Sequence, residues 1–527
     1  MYRINQIKIS LAENESTLPE KVLKRLRCQG LKLKEWKISR ESIDARDKSD
    51  IKRVFSVDFE IEEEFSGKKA ENLRKRIEKA GAEFFVPEEY RLPQDCGSFS
   101  DKNKERPVVV GFGPGGIFAA LILAQAGARP LVIERGCDVD KRAEDVRTFW
   151  ETGRLDTESN VQFGEGGAGA FSDGKLTTGI KDIRIRKVLT ELVRFGAPEE
   201  ILYKQKPHVG TDMLRGTIKN IREEIIRLGG KVRFNTKLIG LVTEVERLTG
   251  LRLADTAIGK EYEIPCSKVI VAIGHSARDT FRMLNAFGIK MEQKPFSIGL
   301  RIEHTQDLID TAQYGKPGRE LGLPPAEYKL SYRCQDDDRR GVYSFCMCPG
   351  GEVITASSEE GGVVVNGMSM HARDSGKANS ALLCDVRTTD FASDDVLAGV
   401  SFQEKYERLA FRLGGGRYAP PAATWGALRD GNAPHVEGCL PDFAMAALRR
   451  AMPEFGKKIK GFDAYDAMVY AVETRSSSPV RILRGKDRQS LSLKGLYPCG
   501  EGAGYAGGIT SAAVDGIKAA EAVLRSE

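Results

Sequence analysis

VVVGFGPGG, residues 108–116, decides the fold. Three valines run into Gly111, Gly113 and Gly116 in G-x-G-x-x-G spacing, and the surrounding PVVVGFGPGGIFAALILAQAGARPLVIERG supplies strand, helix and second strand in order. This is the βαβ setting in which that spacing binds a dinucleotide. Gly111 permits the tight turn, Gly113 lets backbone approach a pyrophosphate, and Gly116 lets helix pack on strand. Pro114 and Gly115 complete the turn, and the helix N-terminus behind them faces the phosphates with unpaired N–H groups and a partial positive charge. Glu134 ends the second strand, next to Arg135, at the distance where a carboxylate accepts hydrogen bonds from an adenosine ribose. A carboxylate there repels a 2′-phosphate, which weighs against NADP. The fingerprint does not separate NAD from FAD.

Composition limits what the turn can mean. The 527 residues suffice for two or three domains of roughly 100–200 residues each. Apolar residues make up 41% and charged residues 30%, the balance of a soluble globular protein. The apolar run Ile117 to Ala126 is far shorter than the roughly 20 residues of a membrane span, and MYRINQIKIS lacks the apolar core of a signal peptide. A cytoplasmic protein with no membrane partner is the expectation. Ten scattered cysteines point to reduced thiols, and no pair of cysteine pairs has zinc spacing, so no metal site is expected. The net charge of +6 is spread thinly with both signs mixed, which implies no nucleic-acid partner.

Ahead of the turn, INQIKIS, LPEKVLKRLRC, LKEWKISRESI, VFSVDFEIE and AENLRKRIEKAG read as strand, helix, strand, strand, helix, with FFVPEEY as the last strand. That order predicts a ferredoxin-like α+β domain over residues 1–92. The polar stretch 93–106 reads as a linker. In the helix, Glu71–Lys75 and Arg74–Glu78 stand at i,i+4, the mark of a solvated face rather than a nucleic-acid surface.

After Glu134 comes SNVQFGEGGAGAFSDGKLTTG, residues 159–179, whose glycines (Gly166, Gly167 and Gly169 among them) suggest backbone pressed against a bulky ligand, with Lys175 as a further contact. KVIVAIGHSA forms another apolar strand ending at Gly274. Near the C-terminus, LKGLYPCGEGAGYAGGITSAAVDGIKAAEAVL gives a strand ending at Gly500 and Glu501, a second glycine loop to Gly508, and a helix from about Ile509. Two helix N-termini aimed at one site suit a long ligand lying across a sheet. No second G-x-G-x-x-G in a βαβ unit occurs between residues 140 and 500, so NAD(P)H is left as a transient reductant at most.

The motifs ISRESIDAR, GFGPGGIFAAL, FGEGGAGAFSDGKLTT, FSIGLRIEH, YSFCMCPGGEV, NGMSMHAR, ETRSSSPVRI and PCGEGAGYAGGITSAAVDG resemble the two-dinucleotide-fold flavoproteins. More closely they resemble a bacterial family usually called uncharacterised FAD-dependent dehydrogenases, over nearly the whole chain. The resemblance implies FAD, with Glu134 on the adenosine ribose and Gly111 to Gly116 on the pyrophosphate. It also implies the backbone near Leu238 on adenine, Glu501 near the ribityl-diphosphate, and Gly508 and Ile509 at the pyrimidine end of the flavin. The expected fold class is α/β: a Rossmann-like FAD-binding domain (107–280 and 465–527) with an inserted α+β substrate or lid domain (281–464), behind the N-terminal ferredoxin-like domain.

Flavin chemistry needs a positioned substrate and an acid or base. Arg475 and Arg481 in VETRSSSPVRI could grip a carboxylate, against the alternative of pairing with Glu473 or another structural acid. His304 in RIEHT and His371 in SMHAR could move protons, against a structural role. Cys346 and Cys348 read as small buried thiols on one strand face, roughly 6–7 Å apart and too far for a disulfide. The leading expectation is an FAD-dependent oxidoreductase that transfers hydride between flavin and a small organic substrate. A flavin-dependent RNA-modifying enzyme and a non-enzymatic FAD-bound redox sensor are the alternatives, and oligomeric state is open.

Overall fold

Val108–Val110 is the central strand of a five-stranded sheet in the computed structural model, which describes residues 1–62, 68–93, 105–336 and 338–526. Across the sheet run Leu496–Pro498, Val269–Val271, Val108–Val110, Leu131–Ile133 and Lys231–Arg233, every neighbouring pair parallel. Strands covered on both faces read as unbroken apolar runs, which is why three consecutive valines suit this position. Helix Pro114–Gln125 is buried on nearly every side, and the C-terminal helix Ile509–Arg525 packs along it. Where the two cross, a Cβ on Gly516 would lie 2.0 Å from the Gly115 carbonyl oxygen. Close crossing of the helices therefore requires glycine there.

A three-stranded antiparallel sheet (Thr236–Glu244, Arg247–Asp255, Glu261–Pro265) flanks this core. The other large element is a six-stranded sheet in the order Ser331–Arg333, Gly341–Pro349, Lys377–Val386, Phe296–Thr305, Met468–Glu473, Ala422–Thr424. Helix Asp442–Lys458 covers it, and its core includes Ile298, Leu300, Leu382, Phe455 and Phe462. Met468–Glu473 pairs with Phe296–Thr305, so this strand belongs to the inserted sheet and not to the segment 465–527 as the sequence division has it. Conversely, Met291–Gln293 pairs with Val480–Ile482, and Phe281, Leu284 and Met291 join the apolar cluster of Val108 and Val110. The boundaries at 281 and 464 therefore shift inward from the first side and outward from the second. Pairing between distant strands set them, and turn signals carry no trace of it.

Residues 1–84 form a four-stranded sheet in the order Leu33–Asp44, Lys52–Ile61, Tyr2–Ser10, Ala82–Phe84, with helices Leu18–Arg25 and Lys68–Lys79. Ile4, Ile9, Val22, Phe55, Val57 and Phe59 make its core. The last strand is Ala82–Phe84 and does not extend through FFVPEEY. Pro87 lacks the N–H that a sheet ladder needs. The exposed pairs Lys75–Glu71, at 2.7 Å, and Arg74–Glu78, at 4.0 Å, occur on the helix face. Of the linker 93–106, residues 94–104 lie outside the described residues. The sheet docks on the rest of the chain through the Glu41 backbone, which donates to Tyr203 O and accepts from Gln205 N, both at 2.8 Å. Lys48 Nζ also donates to Ala312 O at 2.8 Å. No helix among the described residues is long and apolar enough to cross a membrane.

Candidate functional site

At the carboxyl ends of the parallel strands lies a cavity of ≈ 590 Å³, bounded on its far side by the six-stranded sheet. This is the end of an open parallel sheet at which ligands bind, and the volume falls in the ordinary range of about 300–1,000 Å³ for small-molecule sites. Gly111, Gly113, Pro114 and Gly115 border it along the first turn. Glu134, Arg135, Leu238, Gly274, Gly167, Gly169, Lys175, Gly500, Glu501, Gly508 and Ile509 border it as well.

The glycines divide by function. Gly111 is left-handed, φ +94°, and a Cβ there would lie 2.4 Å from Ala272 O. Gly116 and Gly166 do not border the cavity: Gly116 serves the helix-on-strand packing read for it rather than a pyrophosphate contact, and at Gly166 packing replaces the expected cofactor contact. A Gly116 Cβ would sit 1.9 Å from Gly111 O, and a Gly166 Cβ 2.8 Å from Ile218 Cδ1. Gly113 differs: its Cβ would meet only Gly167 Cα at 3.6 Å, and at Gly508 nothing lies within 4 Å. A side chain at either position would instead project into space that a ligand can use. Gly113 and Gly508 are also the N-caps of the two long helices, and neither helix start carries a side-chain cap. The unpaired N–H groups at both starts suit phosphate and a second electron-rich group. His275, which borders the cavity, holds Glu501 through Nδ1 at 3.1 Å and has no partner for its buried Nε2 among the described residues. Room, donors and an orphaned ring nitrogen together fit a dinucleotide.

Glu134 has a second duty. Its carboxylate accepts from Phe112 N at 2.8 Å, Gly136 N at 3.0 Å and Gly164 N at 2.9 Å. Of its roughly four lone-pair sites, about one is left for a ribose hydroxyl. Arg135 is held by Glu158 and Asp279 and lies 4.1 Å from the centre of the Phe163 ring. The 159–167 loop is braced from below by Arg142, fully buried, which donates to the carbonyls of Asn160, Val161, Gly164 and Glu165 at 2.8, 3.0, 3.3 and 2.6 Å. Burial lowers its guanidinium to about 9. Nothing in KRAEDVR distinguishes this arginine from an ordinary helix surface, so sequence reading missed it.

On the other wall, the expected catalytic residues are differently employed. Arg475 borders the cavity, but its Nε and Nη2 donate to Glu407 at 3.1 and 2.8 Å and its Nη1 to Ser358 at 2.5 Å. Arg278 grips the same carboxylate from the other side at 2.6 and 2.9 Å. The carboxylate grip foreseen for a substrate is thus occupied by Glu407. Arg481 lies outside the cavity lining, half-exposed and paired with Glu292 at 2.9 Å. His304 is buried in the inserted core, its Nε2 2.8 Å from Phe462 O, and burial lowers its pKa. It does not reach the cavity. His371, also structural, stacks on His208 with ring centres 5.2 Å apart.

Three arrangements of that wall were not foreseen, although Lys175 was read as a ligand contact and Glu473 and Cys346 were named. Glu473 borders the cavity and is held by Arg301 at 2.7 and 2.9 Å, and burial pushes its carboxyl upward against that arginine. Lys175 bonds Asp173 at 2.7 Å and the Met347 carbonyl, while Arg373 reaches the same Asp173 at 2.5 Å. Cys346, read as a buried thiol, is half-buried and borders the cavity, whereas Cys348 is fully buried. The CMC spacing was the available signal, but a regular strand was assumed. Among the described residues no group of three or more His, Cys, Asp or Glu could hold a metal ion.

Comparison with known proteins adds a relative in Clostridium beijerinckii, named only as an uncharacterized protein, that is 48% identical over 539 residues, covering 99% of this chain and 98% of that one. Residues 295–476 match the family described as FAD-dependent protein, C-terminal domain-like, and residues 1–60 match a domain of unknown function. Among solved structures, the chain is similar to a glycerol-3-phosphate dehydrogenase from Bacillus halodurans complexed with FAD: 13% identity, 82% of this chain and 67% of that one, TM-score 0.37. It is also similar to a geranylgeranyl bacteriochlorophyll reductase-like protein from Thermoplasma acidophilum, at 14% identity, 79% and 77% coverage and TM-score 0.34.

Proposed function

We propose that this chain, which belongs to a family of uncharacterised bacterial FAD-dependent proteins, is an oxidoreductase that exchanges a hydride with a small organic substrate in the cavity described above. Its cofactor is FAD. The observation that carries the reading is the continuity of one cavity from the glycine turn at Gly111 to the inserted sheet at Cys346 and Glu473. When bound, FAD supplies two-electron chemistry at its isoalloxazine ring.

The chain's own residues do the rest. Gly111, Gly113 and the first turn of helix Pro114–Gln125 would hold the pyrophosphate, with Glu134 and the backbone at Leu238 at the adenosine end and Glu501 along the ribityl chain. The N-terminus of helix Ile509–Arg525 would stabilise negative charge at the pyrimidine edge. Residues of the inserted sheet would exclude water and orient the substrate, with Glu473 and Lys175 as the polar groups nearest to hand. In this reading residues 1–92 form a ferredoxin-like domain, the parallel-sheet body is the FAD-binding domain, and the antiparallel insert is the substrate lid. A reductant such as NAD(P)H enters transiently, in keeping with a single G-x-G-x-x-G set between strand and helix in a βαβ unit.

The visible spectrum of the purified chain tests it, followed by chromatography of the flavin released on denaturation. Stoichiometric FAD, bleached anaerobically by NADH, NADPH or a small organic donor, is the expected result. Protein that is colourless and cannot be reloaded with FAD would overturn the proposal.

A further inference from the structure

Two cysteines border the cavity, Cys346 and Cys499. Cys499 is fully buried, and burial keeps its thiol protonated far above the ordinary range. Cys346 lies on strand Gly341–Pro349 at a bulge: Phe345 faces Ala381, but Cys348 already faces Asn379. Its backbone is left-handed, φ +43°, a conformation that a non-glycine residue rarely adopts. The bulge turns Cys348 back on its neighbour. Cys348 Sγ lies 3.3 Å from the Cys346 carbonyl oxygen. Two cations fix the peptide that carries the pair: Arg301 donates to Cys346 O at 3.3 Å and Lys175 to Met347 O.

We propose that Cys346 is a cavity-facing nucleophile toward small organic disulfides, with Cys348 as the thiol that resolves the adduct. A second thiol turned back by the bulge onto the residue that carries the first is what a resolving step needs, and an isolated structural thiol has no use for one. The charged groups facing the pair are Lys175 and Asp173 from the 172–175 loop and Arg301 and Glu473 from adjoining strands. The hydrogen bond from Cys348, aided by Arg301 and Lys175, holds the Cys346 thiol below the ordinary thiol range against burial and Glu473. Cys348 keeps its proton, pushed up by that same bond and by burial. In the reaction the Cys346 thiolate attacks one sulphur of R–S–S–R. A Cys346–S–S–R bond forms, the substrate S–S bond breaks, and RS⁻ leaves and takes up a proton. Cys348 then gives up its proton and attacks the Cys346 sulphur, expelling the second RS⁻. Two protein thiols are oxidised to one disulfide and one substrate disulfide is reduced to two thiols. The inference goes beyond the flavin reading and does not depend on it.

The test treats the full-length protein, its flavin content read from the visible spectrum, with oxidised glutathione in the absence of air, followed by peptide mass spectrometry. Wild type is expected to form a Cys346–Cys348 disulfide, Cys348→Ser to stop at a Cys346–glutathione adduct, and Cys346→Ser to take up none at this segment. Iodoacetamide labelling of wild-type Cys346 is expected to reach half its maximal rate below the ordinary thiol value of about 8.5. The proposal is overturned if wild-type Cys346 stays unmodified by both reagents while exposed thiols react, or if its profile is centred at the ordinary value. These readings come from wild type and stand even where a variant fails to fold. Flavin-free protein that still forms the disulfide would support this inference while counting against the cofactor reading.

Discussion

On the parallel-sheet side of the cavity the ligand-facing groups are backbone amides and glycine Cα atoms at Gly111, Gly113 and Gly508, whereas the inserted-sheet side presents side chains tied into buried ion pairs, Arg301–Glu473 and Arg278–Glu407–Arg475. The first wall is made by steric permission. It fails when an atom is added. The second is made by charge compensation in the interior, and it fails when a partner is removed, because the survivor is left as an uncompensated buried charge.

The strongest way to break that contrast is Glu407→Ala. It leaves Arg278 and Arg475 with only the part-exposed Glu359, at 2.6 and 3.7 Å, to balance them, and should cost up to about 3–5 kcal/mol by denaturant titration. A loss below about 1 kcal/mol would mean the network is not what holds this wall. Arg475→Ala, which leaves Arg278 on Glu407, should destabilise less. If it abolished turnover with stability and flavin content intact, the substrate grip read from the sequence would stand after all.

The backbone-built side holds buried charges too, Glu165 among them. Its carboxylate is fully buried, receives the Val139 N–H and Arg222, and is nevertheless raised by burial from 4.5 to about 7. A folded-state value above the unfolded one means the charge disfavours folding. The Glu165 contribution to stability is therefore greatest below about 4.5 and is lost as pH rises through about 7, by on the order of 3 kcal/mol. Glu165→Gln should flatten this part of the pH dependence of the denaturation midpoint, and an unchanged slope would rule the assignment out.

Two glycine substitutions sharpen the steric half. Gly116→Ala forces a methyl against Gly111 O and should cost about 1–3 kcal/mol or more. Gly113→Ala has room within the protein, so the melting temperature should hold while FAD affinity falls at least about tenfold, or 1.4 kcal/mol. Equal effects of the two on folding would erase the distinction between packing and cradle glycines. Smallest of all is Arg481→Ala: a half-exposed pair with Glu292 should change stability by no more than about 0.5 kcal/mol and leave turnover alone.

Much of the cradle was legible because it is a local demand. The valine run, the glycine spacing and Glu134 fall within residues 108–134, and each answers to a backbone conformation or a clash that a short segment dictates. The same logic reached Gly274, Glu501 and Gly508 at the ends of other strands. It reached the packing role of Gly116, but misled at Gly166, where glycine serves packing, and at FFVPEEY, where Pro87 ends the pattern. At Cys346 it assumed a regular strand, and a bulge is set by the partner strand as much as by its own residues.

The sequence by itself determined a dinucleotide turn, the two helix starts around it and a strand-helix-strand-strand-helix segment ahead of it, because period and spacing are properties of neighbouring residues. Only the tertiary structure decided which polar side chains face the cavity and which are held elsewhere. Arg475 finds Glu407 68 positions away and Arg301 finds Glu473 172 positions away. Partners that far apart are chosen by how sheets and helices pack around a core, and the energy of a buried charge depends on that choice alone.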